Sequence, residues 1–390
     1  MDHIQLLLII SLVLFSTKIM SLLTKKLHLP QVVGALAAGI LLGPAVFGII
    51  EPNEVISAIA DIGVLLLLFT AGLETDFAKL RRTVGSSALI AVLGIVLAIG
   101  GGYLAATIIG GSMLEMLFIG IVIASTSTSI TVEALHELGK LKTNSGTAIM
   151  GTSVMDDIFG IIILAVVLGM NAGGASIGSV GMTLGRIVIF FAFATLCGFL
   201  VSKLFNYMYS RFGEQRRLSV FALAFCLLMS YLAEQFGLAS ITGAFIAGIA
   251  FCNTRCVEVL EHNTAKLSYM FFTPVFLASI GLSVSFAGLD VRMLIFTGVL
   301  IVAAMASKVI GCGLGARISG FNRRDSMQIG VGLMTRGEIT LIVAAKGISN
   351  QLLNPELFSG IILMVLVTVV ASPILLSLVY KDKSDKGAVS

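Results

Sequence analysis

Apolar residues run along this chain in blocks separated by polar, glycine- or proline-marked breaks. A helix needs about 20 apolar residues to cross a bilayer, and most blocks reach that length. Cutting at the breaks gives thirteen segments, near 4–23, 31–50, 55–74, 85–110, 114–137, 145–170, 180–203, 218–236, 238–253, 267–285, 290–316, 325–349 and 356–380. The ninth is short for a span. The pattern predicts an all-α integral membrane protein of about 13 transmembrane helices.

Composition agrees. Only 12% of the 390 residues are charged and 57% are hydrophobic, whereas soluble domains carry about a quarter charged residues. A water-soluble core of this size would also split into domains, and no polar linker divides the chain. The first segment, "IQLLLIISLVLFS", lacks the basic leader and cleavage site of a secretory signal, so it is expected to stay as a span. Five cysteines suggest no disulfide framework. Cys252 and Cys256, close to His262, fit no zinc spacing, and no cofactor is expected.

The basic residues give the orientation. The odd-numbered loops and the C-terminus hold 19 of the 25 Lys and Arg, and the even-numbered side holds only Arg186 and Arg292. Cytoplasmic loops attract Lys and Arg, which places the N-terminus outside and the C-terminus in the cytoplasm. A net charge of +4 gathered in loops beside lipid gives no reason to expect nucleic acid as a partner.

An internal repeat is also present. "GALAAGI" at 34–40 matches "GAFIAGI" at 243–249 in five of seven positions, at an offset of 209. The same shift pairs Gly72-Leu73 with Gly281-Leu282, Phe77 with Phe286, Thr126 with Thr335 and Ile130-Thr131 with Ile339-Thr340. Two six-helix copies, about 1–170 and 218–380, are therefore expected around a linker helix at 180–203, with a short cytoplasmic tail at 381–390. One linker span between them makes the second copy inverted. Inverted repeats mark secondary transporters, whose site lies near the midplane where the copies meet.

Few charges remain once loops are subtracted: Asp156, Asp157, Lys308, Arg336 and Glu338. Each is worth ~3 kcal/mol at a helix centre, so five approach ~15 kcal/mol before any pairing. Arg336 and Glu338 suit an architectural ion pair as well as a site. The aspartates outnumber the one lysine near them. Neighbours on a helix point about 100° apart, so one aspartate can meet Lys308 while the other faces a water-filled cavity. The same angle argues against an aspartyl-protease dyad, whose carboxylates share one proton. A carboxylate there can hold a proton or a hard cation, and that competition is the physical core of an antiporter.

Segment five carries "ASTSTSIT", with five hydroxyl residues from Ser125 to Ser129, and its repeat partner is "MTRGEIT". Ser and Thr bond nearby backbone and weaken a helix, although the same hydroxyls also serve as packing contacts between helices. Both positions are expected to be helix breaks, which present helix ends and free carbonyls to a cation. Arg336 and Glu338 would compensate the terminal dipoles. Gly39–Gly43 and Gly311–Gly315 form GxxxG patterns, for packing within the subunit or in a dimer. Pro44 and Pro274 are candidate kinks. Lys18 and Lys346 are read as snorkelling at span ends, and His28, His136 and His262 as solvated loop histidines.

At "LLLLFTAGLE" (65–74), "STSTSITVEALHELG" (125–139), "MDDIFGIIIL" (155–164), Lys308 and "MTRGEITLIVA" (334–344) the chain resembles the monovalent cation:proton antiporter-2 family of bacterial sodium/proton antiporters. The resemblance runs through the whole membrane portion. It implies a homodimer with dimerisation and six-helix core subdomains, an elevator-like movement and the bacterial cytoplasmic membrane. It also implies that Asp157 carries the ion and the proton, that Asp156 pairs with Lys308, and that Thr126 and Ser127 line the Na⁺ site. Glu338 and Arg336 match the family's charged break. Potassium-efflux relatives append a nucleotide-sensing domain, whereas only "KDKSDKGAVS" follows here, so dinucleotide regulation is not expected. The expected activity is exchange of Na⁺, or K⁺ or Li⁺, for H⁺. The rival readings are a channel-like K⁺ efflux system, a cation sensor that transports nothing, and an intramembrane hydrolase.

Overall fold

In hydrocarbon every backbone N–H and C=O has to be satisfied within the protein, and a helix does this inside one segment. The computed structural model describes residues 3–27, 30–171, 177–212, 215–284 and 291–381, and these form helices joined by turns. The first half contains α1 (His3–Lys26), α2 (Gln31–Leu42), α3 (Glu54–Glu74), α4 (Phe77–Ala106), α5 (Met113–Ala124), α6 (Thr128–Glu137), α7 (Asn144–Asn171) and α8 (Ile177–Phe212). The second contains α9 (Gln215–Gln235), α10 (Ser240–Phe251), α11 (Val257–Leu267), α12 (Thr273–Leu282), α13 (Val291–Ile318), α14 (Arg323–Gly332), α15 (Glu338–Ser349) and α16 (Phe358–Tyr380). A π-helical turn, Ser268–Phe272, joins α11 to α12. Helix starts follow their caps: Asn53, Asp76, Ser112 and Asn322 each accept a backbone N–H three residues on.

Among the described residues ten helical segments are long and apolar enough to cross a membrane, and three shorter apolar helices accompany them. The chain is thus a multi-pass membrane protein. Not every expected segment reaches spanning length as one helix. The second and ninth segments yield α2 and α10, each of 12 residues, about 18 Å long against a hydrocarbon core of about 30 Å. The chain turns out of α2 at Gly43, so Pro44 lies beyond the helix and kinks nothing. Pro274 sits in the first turn of α12, where its missing N–H is tolerated.

The offset of 209 carries the bounds of α2, 31 and 42, onto those of α10, 240 and 251. It carries contacts too. A Cβ on Gly39 would run into the backbone of Ala278, and one on Gly248 into that of Phe69, which is 209 residues before Ala278. Gly72 meets Phe245 and Gly248 in α10, as Gly281 meets Leu36 and Gly39 in α2. These glycines let α2 lie on α12 and α10 on α3 at backbone contact. The GxxxG pair Gly39–Gly43 is therefore an intrachain contact, and Gly311–Gly315 packs on α4 at Leu93 and Ile90.

The helices pack in two groups. In one, α2 lies on α1 and α12, and α10 on α3, α8 and α9. In the other, α4 is the hub for α5, α7 and α13, while α13 carries α14 and α16. Fewer contacts join the groups, chiefly α3 with α6 and α7 with α8.

Candidate functional site

The hydroxyl-rich run is a helix break. α5 ends at Ala124, Ser125–Ser127 are extended, and α6 begins at Thr128. Met334–Gly337 part α14 from α15 in the same way. The two breaks cross, with Ser127 N–H donating to Thr335 O at 2.9 Å and Thr131 Oγ1–H to Gly332 O at 2.7 Å. Ser125 Oγ–H donates to Thr340 Oγ1 at 2.9 Å. α16 props the crossing from behind, with Ser372 Oγ 2.5 Å from Thr335 Oγ1 and Thr368 Oγ1 accepting from Arg336 N–H at 3.2 Å.

Arg336 is fully buried. Its guanidinium donates to Ala304 O at 2.8 Å, and to Leu333 O and Thr335 O at 3.4 Å. Leu333 is the C-cap of α14, so the cation sits where a helix dipole favours it. Glu338 opens α15 at its N-terminus. Its side chain lies outside the described residues, as does His28.

Asp156 is 5% exposed and Lys308 not at all. Lys308 Nζ lies 2.6 Å from Asp156 Oδ2, which also accepts from Thr126 Oγ1–H at 2.8 Å. Such a pair offsets the desolvation of both ions through its short contact and its added hydroxyl donor. Asp156 Oδ1 has no hydrogen-bond partner among the described residues, and neither do the buried hydroxyls of Thr128, Thr152 and Ser153.

Asp157, next along α7, points elsewhere. Thr242 Oγ1–H of α10 donates to its Oδ2 at 3.0 Å. With Asp156, Ser125 and Thr126 it lines a cavity of about 820 Å³. Asp61, Glu234 and Lys346 line the same cavity and are exposed. Lys346 is thus a cavity residue rather than a snorkelling one. Ser127 is fully buried behind Thr126, its side chain against Gly337 and its Oγ 3.2 Å from Ser129 Oγ. On the other side of Asp157 there is a gap of only about 10 Å³. Apolar Leu68, Met150, Val154, Ile241 and Phe245 close it, and it is barely the size of one water.

The end of α6 ties the two helix groups together beyond that gap. Glu137 accepts from Gln31 N–H at 2.6 Å and Val32 N–H at 3.3 Å, capping α2. His136 Nε2 is 3.2 Å from Glu74 Oε1, and the His136 ring stacks on Tyr269 of the π-turn at 4.7 Å. His136 is therefore a half-buried, paired helix residue and not a solvated loop histidine. Its short spacing from Glu137 and the buried Glu133 on an apolar helix was the available signal. His262 is exposed on α11. Thr368 and Ser372, four apart in an apolar helix, left a faint trace in the sequence; Thr242 left none. All five cysteines carry free thiols.

The chain is similar to known proteins over almost its whole length. The Na(+)/H(+)-K(+) antiporter GerN of Bacillus cereus is 37% identical over 381 residues, covering 97% of this chain and 98% of that one. A Na(+)/H(+) antiporter of Enterococcus hirae is 33% identical, covering 94% of this chain and 96% of that one. The structure is similar in fold to the sodium proton antiporter MjNhaP1 of Methanocaldococcus jannaschii, with a TM-score of 0.74, 15% identity and coverage of 98% and 100%. The model of the transmembrane sodium/hydrogen exchanger family matches residues 10–381. The chain belongs to that family.

Proposed function

We propose that this protein is a secondary-active antiporter that exchanges Na⁺, and K⁺ or Li⁺ where they fit, for H⁺, with cation and proton competing for Asp157. One observation carries the reading: Asp157 lies between a cavity of about 820 Å³ and an apolar seal with a gap of about 10 Å³. A carboxylate wetted from one side only is what alternating access requires. A channel needs an aqueous path on both sides at once, which disfavours that rival. The names of the relatives, sodium/proton antiporters in both cases, point the same way.

In this reading Asp156 stays neutralised by Lys308, and Asp157 takes the charge that moves. Thr126 and Asp156 Oδ1 offer further oxygens to the cation, as hard ions prefer. Ser127 contributes by holding the break open through its backbone contact. Arg336 and Glu338 compensate the helix ends at the second break. The two copies, about 1–170 and 218–380, are inverted repeats; the contacts repeated at offset 209 support this. The group built on α4 and α13 moves as the core against the group of α2, α3 and α10. Basic loops put the sealed side in the cytoplasm and the cavity outside, with the N-terminus outside. The protein would work as a homodimer in the bacterial cytoplasmic membrane, with no cofactor.

The test uses purified protein in proteoliposomes carrying a pH-sensitive dye. Added Na⁺ should collapse an imposed proton gradient, and Asp157→Asn should abolish the response. A gradient that survives Na⁺ in the wild type, or full activity in Asp157→Asn, would contradict the reading.

A further inference from the structure

Thr242 and Asp157 belong to different helix groups. Thr242 is on α10, which packs on α3 and α9, whereas Asp157 is on α7, which packs on α4. Their 3.0 Å hydrogen bond therefore crosses the surface along which the groups must slide. The other charges near Asp157 divide along the same line. Asp156, Lys308 and Lys346 lie on helices of the Asp157 group, and Arg336 in the break between two of them, whereas Asp61 and Glu234 line the cavity from α3 and α9. Thr242 is buried, 2% exposed, and Ile241 and Phe245 flank it in the apolar seal. Water does not compete well for its hydroxyl there, so the bond to an ionised carboxylate is a strong one.

We infer that Thr242 is a positioning residue that tethers unloaded, ionised Asp157 to the stationary helices and so prevents the empty carrier from returning. This rests on the reading of Asp157 as the shared carrier. The physical reason is a difference between states. A hydroxyl donor bonds a bare carboxylate strongly and a protonated or cation-bound one weakly, because the ligand takes over the negative charge. Loading Asp157 loosens the tether and frees the core to move. Return of an empty core after the cation has left would turn exchange into a one-way leak. One hydrogen bond to a charged group suppresses that step by about ten- to a hundredfold.

The experiment measures sodium efflux with radioactive sodium and proton uptake with a dye in the same proteoliposomes. A permeant anion dissipates any membrane potential. Thr242→Val, which keeps the shape and removes the donor, should release sodium without matching proton uptake, about tenfold or more above the wild-type leak. Thr242→Ser should restore tight coupling. If the valine variant does not fold, Thr242→Cys, with only a weak S–H donor, should leak relative to Thr242→Ser. An unchanged proton-to-sodium ratio in the donor-poor variants would overturn the inference, as would loss of all flux in them with flux intact in Thr242→Ser. Failure of the wild type to couple sodium to protons would instead remove the antiporter reading beneath it.

Discussion

Lys308 and Asp156 form an ion pair of 2.6 Å with side chains 0% and 3% exposed, held between two long helices, α13 and α7. Its burial makes it sensitive to the loss of either partner. Removing one leaves an uncompensated charge in a dry setting, at about 3–5 kcal/mol. Lys308→Ala should therefore lower the thermal unfolding temperature of the purified protein sharply. The double variant Asp156→Asn/Lys308→Met should recover most of that loss, since a neutral pair of similar volume leaves no uncompensated buried charge. A double variant no more stable than Lys308→Ala would mean that the pair is not the source of the effect.

At the far end of the seal, Glu137 caps α2 across the boundary between the helix groups. The contact joins helices of different groups, so its loss is expected to favour opening of the gap. Losing a cap of this kind costs about 1 kcal/mol, a roughly fivefold shift in the balance of the two arrangements. In Glu137→Ala, a cysteine placed at Val154 should react several-fold faster with a membrane-impermeant thiol reagent added from the cytoplasmic side. Unchanged labelling would show that the cap does not hold the seal.

Gly39 and Gly248 make equivalent contacts, Gly39 against the backbone of Ala278 and Gly248 against that of Phe69. Backbone cannot swing aside as a side chain can, so Gly39→Ala and Gly248→Ala should each destabilise by about 1–3 kcal/mol. Gly298 is a suitable control, because a Cβ there meets nothing within 4 Å. Gly298→Ala should be neutral or slightly stabilising, as expected for removing glycine from a helix. Comparable thermal stabilities for all three variants would count against the close crossing.

Much of the molecule was legible before folding because the bilayer simplifies the problem. A long apolar run has little choice but to become a helix, and "STSTS" and "MTRG" announced breaks through residues that compete for backbone hydrogen bonds. Lengths were less legible. α2 and α10 are only 12 residues long, and their glycines lie in backbone contact with α12 and α3. Hydropathy does not record that.

The site divides in the same way. Sequence alone marked Asp156, Asp157, Lys308 and Arg336, because a charge among apolar residues is conspicuous and expensive. Their adjacency on a helix also dictated that the two aspartates face different surroundings. Which aspartate meets the lysine, that the other lines a cavity, and that Thr242, 85 positions away, holds it, were decided by tertiary packing. A hydroxyl in an apolar helix carries no local sign of what it will touch, and only the crossing of α10 with α7 brings that oxygen to the carboxylate.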